Sequence, residues 1–223
     1  MIPTRYRSSV FLKAAMAVTG AVMVLFLIMH MVGNLKAFEG QESFDAYSHW
    51  LRVVGYPAVP EGGLLWAIRI ALTVSVVVHI ASATVLALRA RRARPQRYQT
   101  RKRVRQSYAS RTMRWGGVII AVFVLYHILH LTVNVIAPGG ASDSPYERLV
   151  NGFQQPLVAV FYIVSLLLVG LHLQHGLWSV FATLGASSGR REPLLRGGAT
   201  ALSVLLIAGF MLVPVSVMIG WVS

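Results

Sequence analysis

The chain has 223 residues, 56% of them hydrophobic and only 13% charged, a balance that excludes an ordinary soluble domain. Cysteine is absent, which excludes disulfides, thiolate-held iron–sulfur clusters, thiol chemistry and covalent c-type heme attachment within the chain. The formal net charge of +14 would suit nucleic acid, but the basic residues lie between apolar segments, where they read as membrane topology instead.

About 20 apolar residues cross a bilayer as a helix. Five stretches qualify, at roughly 11–34, 64–88, 115–137, 157–181 and 199–222. Arg5, Arg7 and Lys13 precede or open the first. It is too long for the apolar core of a secretory signal and has no small-x-small cleavage site before the next polar loop, so it is expected to be a retained span. The 28-residue segment 36–63 contains FDAYSHWLR (44–52) and the turn-rich YPAVPEGG (56–63), which predicts a short interfacial helix with Tyr47, Trp50 and Tyr56 at headgroup level. Span two runs into a basic stretch, 89–114. Span three begins after Arg114 and ends before the loop APGGASDSP (137–145). Residues 146–155 predict a short surface helix before Pro156 opens span four, and GASSGRREP (185–193) leads to span five.

Charge orients the spans. Eleven basic residues fall in 89–114 and three more, Arg190, Arg191 and Arg196, between spans four and five. The acids Glu39, Glu42, Asp45, Glu61, Asp143 and Glu147 fall on the opposite side. The positive-inside pattern predicts a cytoplasmic N-terminus and an external C-terminus. Backbone groups in hydrocarbon must be satisfied within the helix, so the expected fold is an all-α integral membrane bundle of five transmembrane helices. It forms one membrane domain over 1–223, with membrane lipid and no nucleic acid as surroundings. No room remains for a soluble domain, and chemistry on a water-soluble substrate requires another subunit.

Four of the five spans contain histidine: His30, His79, the doublet His127 and His130, and the doublet His172 and His175. Ionisable groups inside a membrane are costly and mark functional sites by default. With odd spans running outward and a rise of about 1.5 Å per residue, His30 lies roughly 10 Å to the outside of mid-membrane and His79 roughly 5 Å to the inside. His172 shares the inner level, with His175 one turn deeper; His127 is near the middle and His130 roughly 6 Å outward. Two layers result, one pairing His79 with span four and the other pairing His30 with span three. Depth does not choose within a doublet, although it leans towards His130 as the partner of His30. A single such histidine is as readily a hydrogen-bonding residue between helices, and an i, i+3 doublet suits a proton relay or a non-heme metal site. Non-heme iron and zinc also recruit carboxylates or thiolates, and no Asp or Glu lies within the five stretches. Paired neutral imidazoles across two levels fit two b-type hemes best.

At this point the residues resemble the cytochrome b membrane-anchor subunits of succinate dehydrogenase and fumarate reductase, in their five-helix, two-heme b558 form. The resemblance rests on KAAMAVTG (13–20) followed by HMVGNL (30–35), on WAIR (66–69) before His79 and Ile80, on RWGG (114–117) ten residues ahead of His127, and on HLQHGLWS (172–179). It implies His30, His79, His127 and His172 as the axial ligands of heme iron, His79 with His172 for the cytoplasm-proximal heme and His30 with His127 for the distal one. It also implies a bacterial cytoplasmic membrane, and partners in a flavoprotein subunit that oxidises succinate and an iron–sulfur subunit. No catalytic residue lies in this chain itself. Electrons from the iron–sulfur subunit reach menaquinone, the expected substrate, through the two b hemes. Some relatives carry a glutamate two residues before the span-four ligand as a proton path; that place here is Gly170.

A quinone pocket needs an amphipathic cleft near an interface with hydrogen-bond donors. Candidates on the outer side are His49, Trp50, Arg52, His130 and Asn134; on the cytoplasmic side they are Tyr108, Ser110, Arg111 and His175. Interfacial anchoring equally explains Trp50 and Tyr108. Competing functions are the cytochrome b subunit of a nitrate reductase, hydrogenase or formate dehydrogenase, whose ligands concentrate on other helices, and a transporter without a redox cofactor.

Overall fold

The computed structural model describes residues 8–93 and 108–223, with the side chains of 108–112 excepted. Every regular element among the described residues is helical. Helix α1 is Ser9–Leu35, started by the Ser8 hydroxyl accepting from the Val10 amide at 3.2 Å. A short 3-10 turn, Lys36–Glu39, and Gly40 at φ 90° swing the chain into α2, Gln41–Val53. Then follow α3, Gly63–Arg92, and α4, Tyr108–His127, whose last turn widens into a π-helix at Ile128–Thr132. Helix α5 is Pro145–Phe153, α6 is Pro156–Thr183 and α7 is Glu192–Met218. Five helical segments, Ser9–Glu39, Gly63–Arg92, Met113–Thr132, Pro156–Thr183 and Glu192–Met218, are long and apolar enough to cross a membrane.

Three expectations change. Span three stops near Thr132 rather than at 137, because the helix unwinds through its π-turn and Asn134 turns the chain in the left-handed region at φ 62°. Span five begins at Glu192, well before 199; the polar first turn is held by an Arg196–Glu192 ion pair of 2.8 Å, which hydropathy alone misses. It ends at Met218, just before Gly220 at φ 74°. The predicted surface helix after the 137–145 loop is no surface element. Tyr146, Leu149, Val150 and Phe153 are buried against Phe123, Tyr162, Val213 and Val217, so α5 plugs one end of the bundle. The interfacial helix expected near 44–52 is present as α2, and it braces this plug: Asp45 accepts from the Ser144 hydroxyl at 2.5 Å and from the Tyr146 amide at 3.1 Å.

The closest helix pairs are α6 with α7, α1 with α3, and α4 with α6. Small residues allow this, as expected where van der Waals packing rather than hydrophobicity joins helices. A Cβ on Gly170 would come within 2.9 Å of Ile207, and the Ser203 hydroxyl donates to the Gly170 carbonyl at 2.6 Å. Gly209 in α7 is likewise in intimate contact with the Met31 side chain of α1. Replacing Gly170 by Leu is expected to force α6 and α7 apart at a cost of about 1–3 kcal/mol, the range for overpacking. The thermal midpoint of the detergent-solubilised protein checks this; an unchanged midpoint would show that the seam is not tight.

Candidate cofactor site

The two histidine-bearing levels are built by helices whose backbones stay apart. Neither α3 with α6 nor α1 with α4 is among the closely packed pairs, yet each pair meets through histidine side chains. At one level the rings of His79 and His172 are 6.3 Å apart, centre to centre, inclined by 59°. At the other, His30 and His127 are 5.8 Å apart and nearly perpendicular, at 88°. Helix α1 passes both levels, with Gly20 against the His79 ring and His30 ten residues further on. At about 1.5 Å per residue the levels are about 15 Å apart.

Local sequence prepares each ring. The His79 Nδ1–H donates to the Met16 carbonyl at 3.0 Å; a carbonyl only accepts, so the proton is on Nδ1 and the Nε2 lone pair is free. Thr19 Oγ1 is 3.5 Å from the same nitrogen while donating to the Ala15 carbonyl at 2.7 Å. Gly20 leaves room for this approach, since a Cβ there would stand 3.4 Å from His79 Cε1. Across from it, His172 Nδ1 is buried without a hydrogen-bond partner, and Gly117 of α4 faces that ring. The second pair is walled by aromatics: Phe26 stacks on His30 at 5.1 Å, Phe210 lies 5.8 Å from His30, and Phe123 lies 5.9 Å from His127.

The donor set fits a heme. Two imidazoles on opposite faces of one metal atom, each bonded at about 2.0 Å, have ring centres about 6 Å apart. Among the described residues no group of three or more His, Cys, Asp or Glu converges as a bare metal ion would require. Pairs of imidazoles suit a metal whose remaining ligands come with a macrocycle.

A model of the succinate dehydrogenase/fumarate reductase transmembrane subunit family matches residues 87–212. The chain belongs to this family. It is also 25% identical over 161 residues to the succinate dehydrogenase cytochrome b558 subunit of Bacillus subtilis, an alignment covering 72% of this chain and 72% of that protein. No solved structure matches. The family match begins in α3 and ends in α7, and so contains His127 and His172 but neither His30 nor His79.

The other residues singled out in this family member are scattered. His130 is only 1% exposed and its Nδ1 bonds the Tyr162 hydroxyl at 2.9 Å, so it is enclosed by α5 and α6 rather than open to a quinone. Asn134 donates to the Ser142 carbonyl at 3.0 Å and serves the turn. His49, Trp50 and Arg52 are exposed on α2; Arg52 donates to the Ser48 carbonyl at 2.9 Å, within its own helix. His175 meets the Trp178 ring edge-on at 6.2 Å, and the Arg196 guanidinium covers that ring at 3.7 Å. The side chains of Tyr108, Ser110 and Arg111 lie outside the described residues. Sequence reasoning missed Tyr162, Thr19 and the Met16 carbonyl. Tyr162 carried a signal, since a phenol hydroxyl in mid-span requires a partner; the Met16 carbonyl carried none.

Gly20 yields a graded test. Gly20→Ala adds a Cβ at ordinary contact and should leave the His79 ring in position, whereas Gly20→Leu should displace it and lower the b-type heme content of the purified protein. Equal heme content in the two variants, read by pyridine hemochrome, would contradict the role given to this gap.

Proposed function

We propose that this transmembrane subunit carries two b hemes and passes electrons from the iron–sulfur subunit of a succinate dehydrogenase to menaquinone. His79 and His172 hold the heme nearer the partner subunits, and His30 and His127 hold the distal one. The observation that carries the reading is the meeting of four histidines from four helices as two facing pairs, at two levels along α1. Bound heme supplies one-electron transfer, for which His, Met and apolar side chains have no chemistry of their own.

The work of this chain is ligation, orientation and exclusion of water. The Met16 carbonyl orients His79 and keeps its Nε2 available, a partner of the kind that fixes ligand tautomer and basicity. Phe26, Phe123 and Phe210 enclose the second pair in an apolar setting that favours a low net charge at the metal. The arginine-rich segment 89–114, read as cytoplasmic, suits docking of the flavoprotein and iron–sulfur subunits beside anionic headgroups. The proximal heme then lies on that side, and the N-terminus is cytoplasmic. Family membership favours this reading over a nitrate reductase, hydrogenase or formate dehydrogenase cytochrome and over a redox-free transporter. For menaquinone, the exposed ring and cation of His49 and Arg52 on α2 remain the candidates on the distal side, and His175 on the proximal side.

The purified protein is expected to show b-type bands in a reduced-minus-oxidised spectrum and to co-purify with a flavoprotein and an iron–sulfur protein. His79→Ala and His172→Ala should each remove one heme, and His30→Ala and His127→Ala the other, while His130→Ala and His175→Ala keep both. Absence of b-type absorption in the wild type would sink the proposal; loss of a heme from His130→Ala would reassign the ligand on α4.

A further inference from the structure

The hydroxyl of Tyr162 lies between two imidazoles, 2.9 Å from Nδ1 of His130 and 3.5 Å from Nδ1 of His127. Tyr162 is 4% exposed and His130 1%, so water replaces neither contact. The hydroxyl is held in place by rings on several sides: Phe153 at 4.9 Å and Phe123 at 5.2 Å pack edge-on against Tyr162, and Tyr126 lies 5.5 Å from His130.

One hydroxyl has one proton to give, so the two hydrogen bonds are coupled in direction. A His127 that offers Nε2 to iron carries its proton on Nδ1 and donates it to the tyrosine oxygen. The tyrosine proton then points to Nδ1 of His130, and His130 keeps its own proton on Nε2. The opposite direction leaves His127 protonated on Nε2, where it cannot ligate. The His130 end shows what the arrangement costs. Its Nε2 is buried with no hydrogen-bond partner, and its ring is pressed so closely on Gly152 of α5 that any Cβ there would collide with it. A buried ring nitrogen left unsatisfied in this way calls for an explanation beyond helix packing.

We propose that Tyr162 is a positioning residue for the distal heme, holding the His127 imidazole in its ligating tautomer through a hydrogen bond whose direction His130 sets. The proposal rests on the reading of His127 as an axial ligand given above. A hydrogen bond accepted from the far ring nitrogen of a metal-bound histidine raises the basicity of that ligand. A more basic ligand stabilises ferric over ferrous iron, so removing the bond raises the midpoint potential of that heme.

The test is optical potentiometry of the whole complex in membranes, with the distal component defined as the one missing from His127→Ala. In Tyr162→Phe both hemes should be retained, the distal potential should rise and the proximal one should not move. His130→Gln, which keeps an acceptor towards Tyr162 and a donor behind it, should stay near the wild type, while His130→Leu should shift the distal heme in the same direction as Tyr162→Phe. A distal potential unchanged in Tyr162→Phe, or equal shifts of both hemes, would overturn the proposal while leaving the ligand assignment intact. If Tyr162→Phe loses the distal heme, the two His130 variants decide, and equal distal potentials in them overturn it. His127→Ala retaining both hemes would overturn the ligand assignment and this proposal together.

Discussion

An imidazole surrounded by hydrocarbon has two polar nitrogens and no water to satisfy them, and the interior of this bundle is arranged around that constraint. One nitrogen can be given to a protein group, as His79 gives Nδ1–H to the Met16 carbonyl. The other is left to the space shared with the facing His172 ring, 6.3 Å away centre to centre. The same requirement governs backbone packing. Helices α1 and α3, and α6 and α7, close through glycine and serine contacts, and this lets α1 stand off from α4, and α3 from α6, with histidines reaching across.

The membrane architecture was legible because it depends on long-range composition. Mean apolarity over some twenty residues finds a span whatever the details of its ends. Ends are another matter. Glu192 and Arg196 satisfy each other within the first turn of α7, so helix continues through residues a hydropathy window reads as loop. Helix α5 was misjudged for the converse reason. Its Arg148, Glu147 and Asn151 suggest a surface element, yet the apolar side formed by Tyr146, Leu149, Val150 and Phe153 fits the open end of the bundle, and only packing reveals that the end is open.

Within the site, the choice between His127 and His130 shows where sequence geometry stops. Depth estimated from a uniform rise leaned towards His130, because residues three apart in a regular helix share a face and the more outward ring better matched His30. The helix is not uniform there. The Val133 amide reaches back five residues to the Ile128 carbonyl at 2.8 Å, the mark of a π-turn, which places more residues in each turn. His130 is thereby carried off the α1-facing side and meets Tyr162, Tyr126 and Gly152 instead, while His127, the last residue before the widening, meets His30. Periodicity assumes a regular helix, so it does not show which of the two rings faces His30 once the turn widens.

Gly170 joins these threads. Set two residues before His172, it offers no side chain at all. Its lack of a side chain reads at first as a missing proton carrier, but the packing assigns it a positive task. Ile207 fills the space a side chain would need, and the Ser203 hydroxyl is spent on the Gly170 carbonyl, so α7 is seated directly on this turn of α6. The turn that seats α7 is also the turn that aims His172 at His79. A carboxylate introduced there would have to push α7 away before it could carry a proton, disturbing the His172 side chain on the same turn. In this chain the helix seam and a proton path through position 170 are mutually exclusive uses of one place.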